Sequence, residues 1–365
     1  MKLLLVFLAL LAQTAAGAPL RDNMGEAGKI LTSLLNRASS LERFSRKSES
    51  QLVQAELQRL DKLFRENEVH FKNKRPTPEL VALQGLVREA LETHQRGRVE
   101  LAREMVRGLP ALCLSCHSQD QFHAWVYRTK ELDEVSTIEK AEFALATRRP
   151  EEARLLLISY FAEKAQVTDE EALKAIRLEM QIGLWQNRPI AEIEKNVLKH
   201  ADRFSKRQIV MRNVAGWGKG LALANKLLKT PVKSVLQWPS IMKAAFGESE
   251  PRLGLMAPPD DEALFLCFRH ELHRMLRADP ADGDRPWLYY WLSWTERGIG
   301  QDYLYSLGDG YLRICMEQWP KSPAAKKCYD EFKSYTEFAY SGSAGTSIPT
   351  DVQAELDAYR RKVGR

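Results

Sequence analysis

One five-residue stretch, Cys113-Leu114-Ser115-Cys116-His117, limits what this chain can fold into more than any other feature. The spacing Cys-x-x-Cys-His is that of covalent attachment of a c-type haem. Two thiols at this spacing reach the two vinyl groups on one porphyrin edge, and the imidazole of the next residue then lies under the iron. The stretch therefore predicts one covalent haem c, held by Cys113 and Cys116, with His117 as an axial iron ligand.

Two other chemistries use paired cysteines, and the sequence lacks the usual context of both. A thioredoxin-like motif should follow a strand and open a helix, and a zinc site needs a second Cys/His pair at suitable spacing. A further group of potential ligands, Cys267, His270, Glu271 and His273, lacks the His-Glu-x-x-His spacing of zinc peptidases. We interpret this group as ordinary packing and surface histidines.

Residues 1–18 have the form of a secretory signal peptide. A charged start at Lys2 is followed by the apolar run Leu3–Leu11 and by Ala16-Gly17-Ala18, a small-x-small cleavage site. The apolar run is too short to span a bilayer. We expect the mature chain to begin at Pro19 and to be soluble in the periplasm, on the side of the inner membrane where bacteria attach haem to Cys-x-x-Cys-His.

Charge narrows the range of partners. Loss of Lys2 with the signal peptide lowers the formal net charge from +6 to +5, a mildly basic value that is compatible with an acidic redox partner. No nucleic-acid motif accompanies it, so nucleic acid is not expected. The basic segment Lys206–Lys243 contains Trp217 and Trp238. One interpretation is a docking face, either for an acidic partner protein or for an anionic membrane surface. The other, which we favour, is a solvated helix face with tryptophans in the core.

Residues 19–131 have a helical pattern throughout. Four segments carry apolar residues at alternating steps of three and four, which is typical of amphipathic helices. Their apolar stripes are Met24–Ala38, Val53–Phe71, Leu80–Leu91 and Val99–Cys116. Four such helices joined by short turns predict an antiparallel up-and-down four-helix bundle. Gly108 and Pro110 predict a kink or break in the fourth helix, just ahead of Cys113.

The bundle topology selects candidates for the sixth iron ligand. The start of the first helix and the end of the fourth lie at the same end, so Met24 can face His117 across the haem. A thioether suits haem iron, although a methionine on a helix stripe also commonly fills a core. His70, at the end of the second helix, is the alternative ligand. His94 and Met105 lie towards the far end and are poor candidates.

Two features of this region resemble a known family. Asp22-Asn23-Met24 near the mature start, and the twenty residues from Gly97 to His117, resemble the periplasmic four-helix cytochrome b-five-sixty-two. The resemblance covers about residues 19–125 and implies Met24 and His117 as the iron ligands. That family holds haem b without covalent bonds. The region is also similar to class II c-type cytochromes, which carry Cys-x-x-Cys-His on the last helix of the same bundle.

Residues 132–365 also read as helical, which makes the predicted fold class all-α. Helix pairs recur, and the later helices resemble tetratricopeptide-type repeats, which stack into a solenoid with a concave binding surface. A non-repetitive helical bundle is the alternative. The predicted helices are Ser136–Thr147, Pro150–Glu163, Glu170–Gln186, Pro189–Phe204, Trp287–Arg297, Tyr303–Trp319 and Ser322–Tyr340.

Three cysteines remain outside the haem motif, so one pair and one free thiol is the simplest arrangement. Cys315 and Cys328 flank the turn Trp319–Pro323 and lie at comparable heights above it in an antiparallel helix pair. In an oxidising compartment this predicts a disulfide between them. Cys267 is left as the free thiol.

These features predict a periplasmic mono-haem c-type cytochrome that acts in electron transfer, with the helical repeats docking a redox partner protein. We see no nucleophile–base pair, carboxylate dyad or second cofactor motif, so we do not expect an enzyme. A five-coordinate haem sensor or gas-binding protein is one alternative, which holds if Met24 does not ligate. A scaffold protein in which the haem is secondary is another.

Overall fold

The computed structural model describes residues 18–68, 78–117, 132, 135–147, 149–162, 167–247, 259–278, 280–299, 307–343 and 345–364. Within these ranges the chain forms sixteen α-helices and one short antiparallel hairpin, so the predicted all-α class is confirmed. In the same ranges no helix is both long enough and apolar enough to cross a bilayer. The helices are α1 (Ala18–Ala38), α2 (Leu41–Ser45), α3 (Lys47–Glu68), α4 (Pro78–Gln95), α5 (Val99–His117), α6 (Thr137–Ala146), α7 (Pro150–Ala162), α8 (Asp169–Trp185), α9 (Ile190–Arg203), α10 (Gln208–Leu227), α11 (Trp238–Phe246), α12 (Pro259–Arg277), α13 (Arg285–Gly298), α14 (Leu307–Gln318), α15 (Pro323–Ala339) and α16 (Thr350–Val363). The hairpin pairs β1 (Ser341–Gly342) with β2 (Gly345–Thr346).

The described residues divide into two compact units, unit 1 up to Ala162 and unit 2 from residue 167 onward. This division differs from the predicted boundary at residue 131 by the pair α6 and α7. The pair belongs with unit 1 because α6 packs on α5, where Arg107 forms an ion pair with Glu139 at 2.7 Å. Glu139 also completes a capping box with Ser136, so one carboxylate starts α6 and ties it to α5.

In unit 1 the helices α1 and α3 run antiparallel. Arg37 near the end of α1 pairs with Glu49 near the start of α3, and Glu26 near the start of α1 pairs with Arg59 further along α3. The facing stripes are apolar and buried, as the three-and-four periodicity predicts. They include Ala27, Leu31, Leu34, Leu35, Val53, Leu57, Leu60 and Phe64.

The helices α4 and α5 continue this alternation. Gln54 on α3 meets His94 on α4 at 3.2 Å, and Asp61 lies 3.7 Å from Arg88, so α3 and α4 are antiparallel. A tight turn at Gly97, whose φ of +78° lies in the left-handed region, then reverses the chain into α5. Helix α5 packs against α1, α4 and α6.

Helix α5 does not break at Pro110, contrary to the expectation from sequence. It continues from Val99 to His117 with Pro110 inside it. An internal proline costs about 3 kcal/mol in an isolated helix because it removes one hydrogen bond and crowds the preceding turn. Here Leu109 and Pro110 are buried, and Arg103 and Arg107 tie the preceding turns to neighbouring segments. Packing of α5 on its neighbours therefore offsets the local cost.

Unit 2 is a succession of helices that pack mainly on their neighbours in the chain. Helix α8 packs on α9, α9 on α10, α10 on α12, and each later helix on the next, with further contacts between α13 and α15. Their boundaries match the predicted helix pairs to within a few residues. Sequence signals explain several starts: Thr168 and Glu171 form a capping box before α8, and Ser322 caps α15 ahead of Pro323.

The close contact between α10 and α12 organises the middle of unit 2. Gly220 on α10 lies against the carbonyl of Asp260, where a Cβ atom would not fit. Two neighbouring contacts use the buried Glu262: it accepts a hydrogen bond from the indole nitrogen of Trp217 at 2.9 Å and pairs with Arg177 at 2.6 Å. A buried carboxylate with two such donors is compensated for its loss of hydration.

Candidate functional site

The predicted haem motif forms the last turns of α5. The backbone of α5 is helical through Cys113, Cys116 and His117. The side chains of residues 111–117, and all of residues 118–131, lie outside the described part of the chain. The alternative ligand His70 also lies outside it, within residues 69–77. The motif is therefore located by its backbone and by the helices around it.

Hydrogen bonds at the other end of α5 set its register against α1. Arg103 donates through Nε to the carbonyl oxygen of Ala38 at 2.6 Å, and through a terminal nitrogen to that of Ser39 at 3.3 Å. Met24 lies fourteen residues before Ala38, and His117 lies fourteen residues after Arg103. Antiparallel helices rise by the same ~1.5 Å per residue, so the backbones of Met24 and His117 come level, about 21 Å from that contact.

An apolar pocket of about 30 Å³ opens beside Met24. The side chain of Met24 is half-buried and borders the pocket together with residues from α1, α3, α4, α5 and the end of α6. The α6 residues were not expected there, and the signal that would have found them is the capping box that starts α6. The lining residues are Met24, Ala27, Gly28, Leu31, Leu60, Phe64, Leu83, Leu109, Ala146 and Thr147.

The residues around Met24 fit a haem in two respects: their side chains are mostly apolar, and Met24 lies level with the backbone of His117. Porphyrin faces require apolar surroundings, and Thr147 alone breaks an otherwise apolar lining. A pocket of about 30 Å³ is much smaller than a porphyrin ring. The pocket therefore supplies the apolar surroundings of Met24 and not the space for the ring. Thioether sulfur is a soft ligand that haem iron accepts opposite a histidine.

An ion pair fixes the helix that carries Met24. Glu26, two residues along α1, accepts a hydrogen bond from Arg59 on α3 at 2.7 Å. That hydrogen bond lowers the pKa of the Glu26 carboxyl, so it is ionised at neutral pH. Both side chains are well exposed, and the pair sets the position of α1 more than it adds stability.

His94 and Met105 lie at the opposite end of unit 1 from the motif, as predicted from sequence. His94 is near the turn into α5, where its Nδ1 meets Gln54 and its ring lies edge-on to Phe44 at 5.5 Å. Burial lowers the pKa of His94, which keeps it neutral. Met105 is buried two turns into α5, with 3% of its surface exposed. Neither residue is near the level of His117.

The Cys267 segment does not form a metal site. Burial raises the pKa of the Cys267 thiol to about 12, so the thiol is protonated at neutral pH. Burial, with Arg277 adding to it, lowers the pKa of His270 to about 4. Glu271 is engaged by Arg274 and by the backbone N–H of Val232. Among the described residues, no group of three or more His, Cys, Asp or Glu side chains could hold a metal ion.

The predicted disulfide joins α14 to α15. The sulfurs of Cys315 and Cys328 are 2.17 Å apart, and the Cα atoms are 6.5 Å apart. Both cysteines are fully buried, and the bridge spans the turn between the two helices. Cys267 is a free, buried cysteine, as expected.

The basic segment Lys206–Lys243 separates into exposed lysines and buried tryptophans. Trp217 and Trp238 expose 1% and 0% of their surfaces, so they are core residues, while the lysines between them face solvent. The indole nitrogen of Trp238 lies 3.4 Å from the sulfur of Met275 on α12. This arrangement matches the interpretation we favoured for the tryptophans.

The structure brings Met24 level with the backbone of His117, whereas His94 and Met105 are not at that level. His94 and Met105 lie at the far end of unit 1, and the Cys267 segment lies in unit 2. The resemblance of residues 19–125 to four-helix cytochromes rests on the sequence features quoted above. Comparison of the chain with protein-family models, with curated proteins and with solved structures finds no match in any of the three.

Proposed function

We propose that this chain is a periplasmic mono-haem c-type cytochrome that acts in electron transfer. Cys113 and Cys116 hold one covalent haem c, and His117 and Met24 are the iron ligands, within an antiparallel four-helix bundle formed by α1, α3, α4 and α5. The observation that carries the proposal is the register between α1 and α5, which brings the backbones of Met24 and His117 to one level.

Each group has a distinct role in this proposal. A haem with both axial positions filled lets iron cycle between two oxidation states without binding a substrate. Met24 supplies the second axial ligand, and the pocket residues Leu60, Phe64 and Leu109 keep its surroundings apolar. An apolar environment disfavours the additional charge of ferric haem, and a thioether ligand also favours the ferrous state.

The helices of unit 2 supply the docking function in this proposal. Successive packing of α8 to α16 supports a repeat-like array, because each helix contacts mainly its neighbours in the chain. Such arrays present extended surfaces, which suits the binding of a redox partner protein. Affinity capture with the full-length chain as bait, followed by measurement of electron exchange with the captured protein, tests this role.

An absorption spectrum tests the haem proposal. The purified protein should keep its haem after denaturation in acid–acetone, since the thioether bonds are covalent. The reduced spectrum should be low-spin and should not change when carbon monoxide is added. Cys113→Ser together with Cys116→Ser should release the haem on denaturation. A wild-type protein that yields no covalent haem would overturn the proposal.

A gas-binding sensor is the second candidate, and the pocket is the observation that favours it. A volume of about 30 Å³ with an apolar lining is of the size of a diatomic gas, and it opens beside Met24. If Met24 does not bind the iron, a gas molecule would reach the sixth position from this pocket. Rapid binding of carbon monoxide by the reduced wild-type protein would favour this function over electron transfer.

A further inference from the structure

A long stretch of unit 2 is rich in basic residues and contains no acidic ones. Residues 203–247 contain nine Lys and Arg residues and neither Asp nor Glu. Four lysines around the link from α10 to α11 are exposed, and their side chains form no ion pair or hydrogen bond within the described residues. The four are Lys226, Lys229, Lys233 and Lys243. Their charge is therefore available to a partner.

An exposed leucine lies between these lysines in the chain. Leu236 exposes 76% of its surface, more than any other large apolar side chain among the described residues. It lies in the 3-10 turn Val235–Gln237, which leads directly into α11. Trp238 and Met242 are buried on the inner face of this helical run, while Leu236 and Lys243 share its outer face. An exposed apolar side chain and at least one lysine, Lys243, therefore face solvent on the same side of this run.

The turn that presents Leu236 is held in place by side chains. The amide oxygen of Gln237 accepts hydrogen bonds from the backbone N–H groups of Lys233 at 2.9 Å and Ser234 at 3.0 Å. Just before it, Val232 is fixed at both backbone atoms. Its N–H donates to Glu271 at 2.8 Å, and its carbonyl accepts from Arg274 at 2.9 Å. The exposure of Leu236 is thus built into the fold.

We propose that Leu236 and its four neighbouring lysines form a docking surface for an anionic phospholipid bilayer. We name it the lysine–leucine surface. Leu236 enters the boundary between headgroups and acyl chains, while Lys226, Lys229, Lys233 and Lys243 contact the headgroup phosphates. Contact of this kind places the protein on a membrane without a spanning helix.

The composition of the surface favours a bilayer over an acidic protein. Protein interfaces are depleted in lysine and are anchored by Trp, Tyr and Arg. Here the charges are lysines on flexible stems, and both nearby tryptophans are buried. A fluid layer of phosphates is bound by charge without fixed geometry, and one projecting leucine suits its apolar boundary. The surface lies wholly in unit 2, so the proposal does not depend on haem ligation.

Co-sedimentation of the full-length protein with vesicles tests the proposal. The protein should sediment with vesicles of equal parts phosphatidylglycerol and phosphatidylcholine, less so at high salt, and not with phosphatidylcholine alone. Leu236→Ala should weaken binding about tenfold. Changing Lys229, Lys233 and Lys243 together to Glu should weaken it more than about a hundredfold, since each lysine contributes about fivefold.

Matched variants distinguish binding by this surface from general effects of net charge or of exposed apolar area. Changing Lys47, Lys62 and Lys326 to Glu alters the net charge equally, and Leu155→Ala removes another exposed leucine. Both should bind as the wild type does. Equal loss in the two charge variants would overturn the proposal. A second result would also overturn it: the protein binds polyglutamate but not anionic vesicles, and Leu236→Ala does not change the binding to polyglutamate. That result would assign the surface to an acidic protein.

Discussion

Met24 in unit 1 differs in its surroundings from the core methionines of unit 2. In unit 2, Met180, Met242 and Met316 expose at most 1% of their surfaces and are enclosed by the core. In unit 1, Met24 is half-buried and has open apolar volume beside it. Enclosed methionines contribute packing alone. Met24 borders a pocket and lies level with the backbone of His117, and the proposed iron ligation depends on this difference.

Large rings are distributed unevenly over the helices of the two units. The buried apolar side chains of α1, α4 and α5 are aliphatic, whereas α13 in unit 2 carries a cluster of large rings. Neighbouring rings in that cluster, Tyr290, Trp291 and Trp294, have centroids 5.0–6.5 Å apart. Wide, rigid rings pack against one another closely. The pocket in unit 1 is lined mainly by aliphatic side chains, and among the described residues Phe64 is the one ring in its lining.

The largest expected effect is on the haem spectrum, and it should follow substitution of Met24 but not of Met105. The two methionines lie at opposite ends of unit 1. Met24→Ala should keep the covalent haem but lose the low-spin spectrum, lower the reduction potential and admit carbon monoxide. Met105→Ala should leave the spectrum unchanged and reduce the free energy of unfolding by about 2–5 kcal/mol, because it empties a buried site. Absorption spectra and urea unfolding measure both. An unchanged spectrum in Met24→Ala would direct attention to His70.

Loss of the disulfide should destabilise unit 2 alone. Replacing Cys315 and Cys328 together by Ser frees a short loop in the unfolded chain and should cost up to about 3 kcal/mol. The haem spectrum should not change, because unit 1 contains neither cysteine. Unfolding followed by tryptophan fluorescence, with and without reductant, measures the effect. Insensitivity of the wild-type protein to reductant would contradict the prediction, and the double variant is the control.

Mild acid should also weaken unit 2. The pKa of His270 is about 4 in the folded protein, below its usual value of 6.5, because burial and then Arg277 disfavour the charged form. The unfolded chain therefore takes up a proton first, and stability falls as the pH drops from about 6.5 to about 4, by at most about 3 kcal/mol. His270→Gln should reduce that dependence, and the buried His273, whose pKa burial also lowers, should retain part of it. Urea midpoints measured across this range would show no difference between the two proteins if the prediction is wrong.

The smallest expected effect concerns the contact between α5 and α6. Burial alone would raise the pKa of Glu139, but Arg107 and Ser136 outweigh it and hold the pKa below the usual 4.5. Arg107→Gln should therefore cost about 1 kcal/mol at neutral pH, since the pair is partly exposed. This contribution is present above about pH 4.5 and is lost as the pH falls below it. Arg96→Gln, on an exposed pair, is the matched control and should cost less than about 0.5 kcal/mol.

Much of the fold was predictable from local patterns. Apolar steps of three and four located most of the helices, and serine or threonine caps located several starts. The disulfide followed from two cysteines at comparable heights above one turn. Two features of the fold were not predicted and depend on packing: α5 continues through Pro110 without a break, and the short helix α2 forms where Ser40 caps it and Phe44 is buried. Local propensity does not include the neighbours that decide such cases.

The sequence by itself determined the motif at Cys113–His117, the helical class and the candidate Met24. The tertiary structure decided the register of α1 against α5, the pocket bordered by Ala146 and Thr147, and the exposure of Leu236. The physical reason is that spacing along one helix sets which side chains share a face, whereas the alignment of two helices depends on contacts made elsewhere. Here one of those contacts is the hydrogen bond from Arg103 to Ala38, which joins residues 65 positions apart.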